Sequence, residues 1–371
     1  MSMFMKRKFG WAGLLLGAAI LIPASSADAG AVIFNTGSSA TATIALGIND
    51  EGHLNFDDAT TVTSNAAGTG EVGLAFKFLD DGLFYDATSP GCLCEGWGVS
   101  ATHVDTATAH SGYANVDTDG VVNLTLDSFL TDAAAGTGSF ATSATSLTSL
   151  SGLTVTQHYT VATSTVALFR NVVTITNSTD STLDDVRYVR VMDWDVPHTE
   201  FDEYVTINGV TTTTLLEQSH NDGFATADPL SATSGLDAAT EDVDFFDFFS
   251  ADNGGDHGAY FKFNFGSLAA GKSFTFDIFY GAAANEVLAN VAIVAEGIEL
   301  YSLGQSDLDN DDDGVGGGAA NFEPTFIFGF KGVGGIIIDP PPVVPEPSTM
   351  ALALLGLGGM AVTAYRRRNR K

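Results

Sequence analysis

An all-β body, a sandwich that is either large or double, is the fold class this chain predicts, with one short amphipathic helix near 285–297. Three observations predict it. Apolar and polar residues alternate with period two, most clearly where Phe261, Phe263 and Phe265 interleave with Tyr260, Lys262 and Asn264. Thr and Val recur between Gly and Asn breaks along the body, the composition of short strands joined by turns. Only one segment switches to a helical period.

Taken in chain order, residues 132–151 are almost entirely Ala, Ser, Thr and Gly and read as a loop or a weak edge strand. Strands are expected over 153–161, 166–177, 186–196, 204–207 and 325–330. The turn from Gly266 to Gly271 separates the Phe261 run from Phe274, Phe276, Ile278 and Tyr280, which predicts a hairpin with an aromatic inner face. From Asn285, a residue suited to an N-cap, Val287, Leu288, Val291, Val294 and Ala295 fall at helical spacing until Gly297, so that face should lie against the sheet. The body, residues 30–337, shows no strong internal boundary, and the three prolines at 340–342 open a stiff linker over 338–349.

Charge divides the chain by location. Three of the 15 Lys and Arg residues lie near the N-terminus and five at the C-terminus, whereas 43 of the 45 acidic residues fall within residues 30–345, so that stretch carries about −36. Such a surface repels nucleic acid and anionic lipid and attracts cations, Ca²⁺ foremost. With 45% apolar residues and 26 Phe, the chain has ample material for a core, which argues against disorder.

The two ends carry their own signals. Lys6, Arg7 and Lys8 precede an apolar run from Phe9 to Ile22, and Ala27 and Ala29 supply the small side chains a signal peptidase accepts. Residues 1–29 therefore read as a signal peptide cleaved after Ala29, with an uncleaved anchor as the alternative. At the other end, residues 350–365 are apolar and meet Arg366, Arg367 and Arg368 at the head of a basic tail over 366–371, which should stay on the cytoplasmic side. At about 1.5 Å per residue this span covers about 25 Å of a hydrocarbon layer about 30 Å thick, a marginal transmembrane segment. Glycines at 356, 358 and 359 weaken it further, as suits a segment held briefly and then removed.

Just ahead of that span stand Pro345, Glu346 and Pro347, then Ser348 and Thr349. A Pro-Glu-Pro tripeptide, a short apolar span and a basic tail, in this order at the very end, resemble the PEP-CTERM sorting signal, also catalogued as the C-terminal domain of ice-binding proteins. The resemblance implies that an exosortase, a membrane cysteine transpeptidase of bacteria that make exopolysaccharide, processes this chain. It covers about 25 residues and leaves the body unassigned.

Within the body the candidate sites are few. Asp309, Asp311 and Asp313 precede Gly314 as in a calcium loop, whose alternate oxygens converge on the ion, but the twelfth position is Ala320 where an EF-hand needs Glu. A Ca²⁺ loop of another kind and a solvated acidic loop both remain open. Asp193, Trp194 and Asp195, followed by Glu200, Asp202 and Glu203, form a second cluster. On a strand the two Asp residues share a face about 6.6 Å apart, a span also seen between inverting glycosidase carboxylates. The structural reading has Trp194 packed inward and the carboxylates paired with Arg187 and Arg190 or facing solvent. Cys92 and Cys94 are expected as buried free or bridged thiols, with a metal site including His103 or His110, or redox chemistry, as alternatives.

Nothing matches a serine nucleophile elbow, a His-Glu metal pair at helical spacing, a phosphate loop or a dinucleotide fingerprint. The Thr-rich run 211–214 does not recur at a fixed period, so a repeated ice-binding face is not expected. The sequence thus predicts a non-enzymatic exported protein, membrane-anchored before processing and then at the cell surface or outside it. Its expected partners are signal peptidase, exosortase and exopolysaccharide. The alternative is a secreted carbohydrate-binding or carbohydrate-active protein using the Asp193 to Glu203 region.

Overall fold

The computed structural model describes residues 30–57, 70–78, 82–233, 256–306 and 324–337. They are dominated by antiparallel strands, so the all-β expectation holds. The largest sheet has eight strands in the order Leu124–Thr131, Phe140–Leu147, Leu150–Val161, Leu168–Asn177, Ser273–Ala283, Thr325–Lys331, Leu300–Ser306 and Glu203–Asn208. A six-stranded sheet runs Leu216–His220, Gly258–Asn264, Leu183–Asp193, Gly96–His103, Thr108–Asn115 and Val121–Val122. A four-stranded sheet, Ala31–Phe34, Ile44–Ile48, Leu74–Lys77 and Phe84–Asp86, and a small pair, Phe56–Asp57 with Glu71–Val72, complete the set.

One apolar cluster takes residues from the three larger sheets. Alternation explains how: along Thr325–Lys331, Phe326, Phe328 and Phe330 point to one face while Ile327 points to the other. Phe328 and Phe330 meet Phe261 of the six-stranded sheet at ring separations of 5.6 and 5.1 Å, and Phe326 meets Phe76 of the four-stranded sheet at 6.3 Å. Ile327 instead joins Leu168, Phe279 and the helix Glu286–Glu296 on the opposite face of the eight-stranded sheet.

The helix starts and stops where the sequence predicts. The Asn285 side chain accepts from the Leu288 N–H at 2.9 Å, and Gly297 takes the left-handed conformation, φ 67°, that ends it. Its buried face differs from the expectation. Ala289, Ala292 and Ile293 pack inward, whereas Leu288, Val291 and Val294 are 49%, 59% and 41% exposed. Small side chains let the helix axis approach the sheet, and the larger ones are left on its flank.

Two further expectations need correction. The strands on either side of Gly266–Gly271 do not pair with each other: Gly258–Asn264 lies in the six-stranded sheet, while Ser273–Ala283 lies in the eight-stranded one. The connection is a corner between layers, and the predicted aromatic contacts survive across it, with Phe265 stacked 5.1 Å from Phe276 and 5.4 Å from Phe274. Residues 140–147, expected as loop or edge, form a strand with neighbours on both sides. Its inward residues Ala141, Ser143 and Thr145 are small and buried, and loop 49–55 comes close enough for Ser143 Oγ to donate to the Asp50 carbonyl at 2.6 Å.

Among the described residues no helix is long and apolar enough to cross a membrane. The expected signal peptide, linker, transmembrane segment and basic tail lie outside the described residues.

Candidate functional site

The strand Leu183–Asp193 is buried on both faces, and its period of two assigns the side chains to different surroundings. Tyr188, Met192 and, just past the strand, Trp194 enter the core between the sheets. Trp194 donates from Nε1 to Ser302 Oγ at 3.0 Å, so it packs inward as expected. Val189 and Val191 face the other way, beneath Ala225 and Ala227 of the segment that follows Leu216–His220. Asp193 continues that outer row.

Asp193 is 1% exposed and Asp195 is 0% exposed, so both carboxyl groups are buried. The backbone of Gly223 lies against Asp193, and a Cβ at that position would come within 2.3 Å of Asp193 Oδ1, which only glycine avoids. Asp195 is held by its own N–H, which donates to the Ala87 carbonyl at 2.8 Å. Asp256 arrives from just before Gly258–Asn264, the strand whose Gly258 is in register with Asp193. One carboxylate oxygen each from Asp193, Asp195 and Asp256 gathers within 4.8 Å of the others. Glu203, at the start of Glu203–Asn208, borders the group and is also buried; its Oε1 accepts from the His257 N–H at 2.7 Å.

The structural reading expected these carboxylates to meet arginines or solvent, and they do neither. Arg190 points into the core and pairs with Glu95, while Arg187 pairs with Glu217 at 2.6 Å. Neither oxygen of Asp193 or of Asp195 accepts a hydrogen bond among the described residues, and Glu203 Oε2 also has none. Burial, reinforced by Asp256 and Asp222, holds the Asp193 carboxyl well above the usual range. Burial, then Asp193, Asp256, Glu200 and Asp86, pushes Asp195 up to about 9. Glu203 is likewise held well above its ordinary value by burial, against the pull of the His257 N–H. Every charged neighbour shifting Asp193 and Asp195 among the described residues is itself acidic, so the cluster holds negative charge only against that repulsion and otherwise keeps its protons.

An oxygen-only group of this kind can hold a hard cation or share protons. Sequence reasoning found Asp193, Asp195 and Glu203 but not Asp256, because only the register of Asp193 on Gly258 brings residue 256 to the site. The short sequence Asp256-His257-Gly258 at the head of the aromatic strand was the available signal.

The other predicted residues that the structure describes are not drawn into this cluster. Cys92 and Cys94 form a disulfide with Cα atoms 5.1 Å apart, in an irregular segment rather than on a strand, so both sulfurs are engaged and neither serves His103 or His110 as a co-ligand. His103 and His110 sit on adjacent strands, with His110 Nδ1 3.0 Å from Ser149 Oγ. Asp309, Asp311 and Asp313, Ala27 and Ala29, Pro345, Glu346 and Pro347, and Arg366, Arg367 and Arg368 lie outside the described residues.

Comparison with known proteins speaks to the C-terminus. Residues 343–368 match the PEP-CTERM protein-sorting motif, which spans the tripeptide, the apolar run and the arginines. The chain therefore carries the signal of exported proteins that are anchored and processed at the C-terminus. The enzyme such a motif implies as its processing partner is an exosortase. No curated protein sequence matches the chain.

Proposed function

We propose that this chain is a cell-surface or extracellular-matrix protein, associated with exopolysaccharide, whose β-sandwich body serves a structural or binding role rather than a catalytic one. The observation that carries this reading is the sorting motif at residues 343–368. In this reading the signal peptide is removed after Ala29, the apolar run 350–365 holds the chain in the membrane, and the exosortase acts near Pro345, Glu346 and Pro347. The acidic stretch 30–345, at about −36, supports a destination outside the cytoplasm: self-repulsion keeps it soluble, and divalent cations bridge it to anionic polymers. The burial of Asp193 and Asp195 favours this role over a glycan-cleaving one, since a sugar would have to displace the backbone at Gly223 to reach Asp193.

Changing Pro345 and Glu346 together to Ala in the host tests the sorting step. The variant should accumulate as a longer, membrane-retained species on fractionation and immunoblotting. Wild-type processing and location in the variant would overturn the proposal.

A further inference from the structure

We propose that Asp193, Asp195 and Asp256 bind one Ca²⁺ ion, which ties the end of the Leu183–Asp193 strand to the entry of Gly258–Asn264. This inference is independent of the sorting reading and of the acidic run at 309–313.

The geometry fits a single ion. Ca²⁺ takes oxygen ligands at about 2.3–2.6 Å, so two ligands on opposite sides of it stand about 4.6–5.2 Å apart. The three carboxylate oxygens lie within 4.8 Å of one another, inside that limit. Burial supplies a second, independent reason. The four oxygens of Asp193 and Asp195 are enclosed without a hydrogen-bond donor among the described residues, an arrangement that costs several kcal/mol for the charged carboxylates unless a cation or a proton neutralises them.

The ligand chemistry selects the ion. Carboxylates alone suit hard cations, whereas Zn²⁺ prefers nitrogen and sulfur in a tetrahedral set. Mg²⁺ dehydrates reluctantly and keeps several waters, which an enclosed site with Asp193 and Asp195 at 1% and 0% exposure accommodates poorly. Ca²⁺ accepts irregular, dehydrated coordination. Glu203 adds negative charge at the border while its Oε1 stays on the His257 N–H.

The test uses the full chain, treated with EDTA and dialysed, and titrated with CaCl₂ or MgCl₂ under calorimetry and thermal unfolding. Millimolar Ca²⁺ should raise Tm by roughly 5 °C, with a smaller response to Mg²⁺. Asp193→Asn with Asp195→Asn should abolish the Ca²⁺ shift and, by removing repulsion, melt higher in EDTA than the wild type. Asp309→Asn, Asp311→Asn and Asp313→Asn together should keep the shift and bind one Ca²⁺ per chain. This triple variant decides the matter if the double variant does not fold. Absence of a Ca²⁺ response in the wild type, its persistence in the double variant, its loss in the triple variant, or an equal response to Mg²⁺ would overturn the proposal.

Discussion

Arg190 and Glu95 meet between the two large sheets with both side chains fully buried. Such a pair survives only when its remaining hydrogen-bonding capacity is used, and here it is. Arg190 Nη1 donates to Gln157 Oε1 at 2.8 Å, and both terminal nitrogens reach the Gly52 carbonyl at 3.2 Å. Glu95 Oε2 accepts from the Leu54 N–H at 2.7 Å, and its Oε1 accepts from Tyr280 Oη at 3.2 Å. Replacing Glu95 by Ala strands the guanidinium and should cost about 3–5 kcal/mol in chemical denaturation, whereas Tyr280→Phe, losing one neutral donor, should cost about 1 kcal/mol. Nearby His53 is buried and neutral: burial, then the Arg190 charge, push its imidazole down to about 3 from 6.5. Because the folded form resists a proton that the unfolded form accepts, this group's contribution is intact above pH 6.5 and is lost on acidification toward 3. Relative to a His53→Gln variant, the wild type should lose about 1.4 kcal/mol per pH unit through that window, read as the difference between the two unfolding curves.

At the scale of elements, capping was legible and facing was not. Asn285 and Gly297 bracket the helix because an N-cap carbonyl and a left-handed glycine are local requirements, set by the residues themselves. Asn285→Ala should therefore destabilise the protein by about 1 kcal/mol in thermal or chemical denaturation. Which side of the helix is buried depends on what it lands on, and the sheet presents Leu168, Phe279 and Ile327 to Ala289, Ala292 and Ile293. The same distinction separates the strands Gly258–Asn264 and Ser273–Ala283. Their alternation was correct, but six residues around a turn serve a hairpin or a corner equally, and the partners Leu183–Asp193 and Leu168–Asn177 decided for the corner. The weakly apolar run 140–147 failed as a signal because its burial rests on close backbone approach rather than on large side chains.

At the scale of the whole molecule, the described residues form layers: a helix, the eight-stranded sheet, a shared apolar core, and the six- and four-stranded sheets beyond it. Loop 49–55 locks the last of these into the core, with Trp97 Nε1 donating to the Glu51 carbonyl at 2.9 Å and Tyr159 Oη to the Gly52 carbonyl at 2.8 Å. By itself the sequence determined the strand-rich class, the helix boundaries and the sorting motif, because period, caps and a contiguous signal are properties of neighbours in the chain. Only the tertiary structure decided the order of strands, the fate of Arg190 and the gathering of Asp193 and Asp195 with Asp256. Each of these depends on residues far apart in sequence whose meeting is set by register and packing, and charge repulsion alone would never have predicted it.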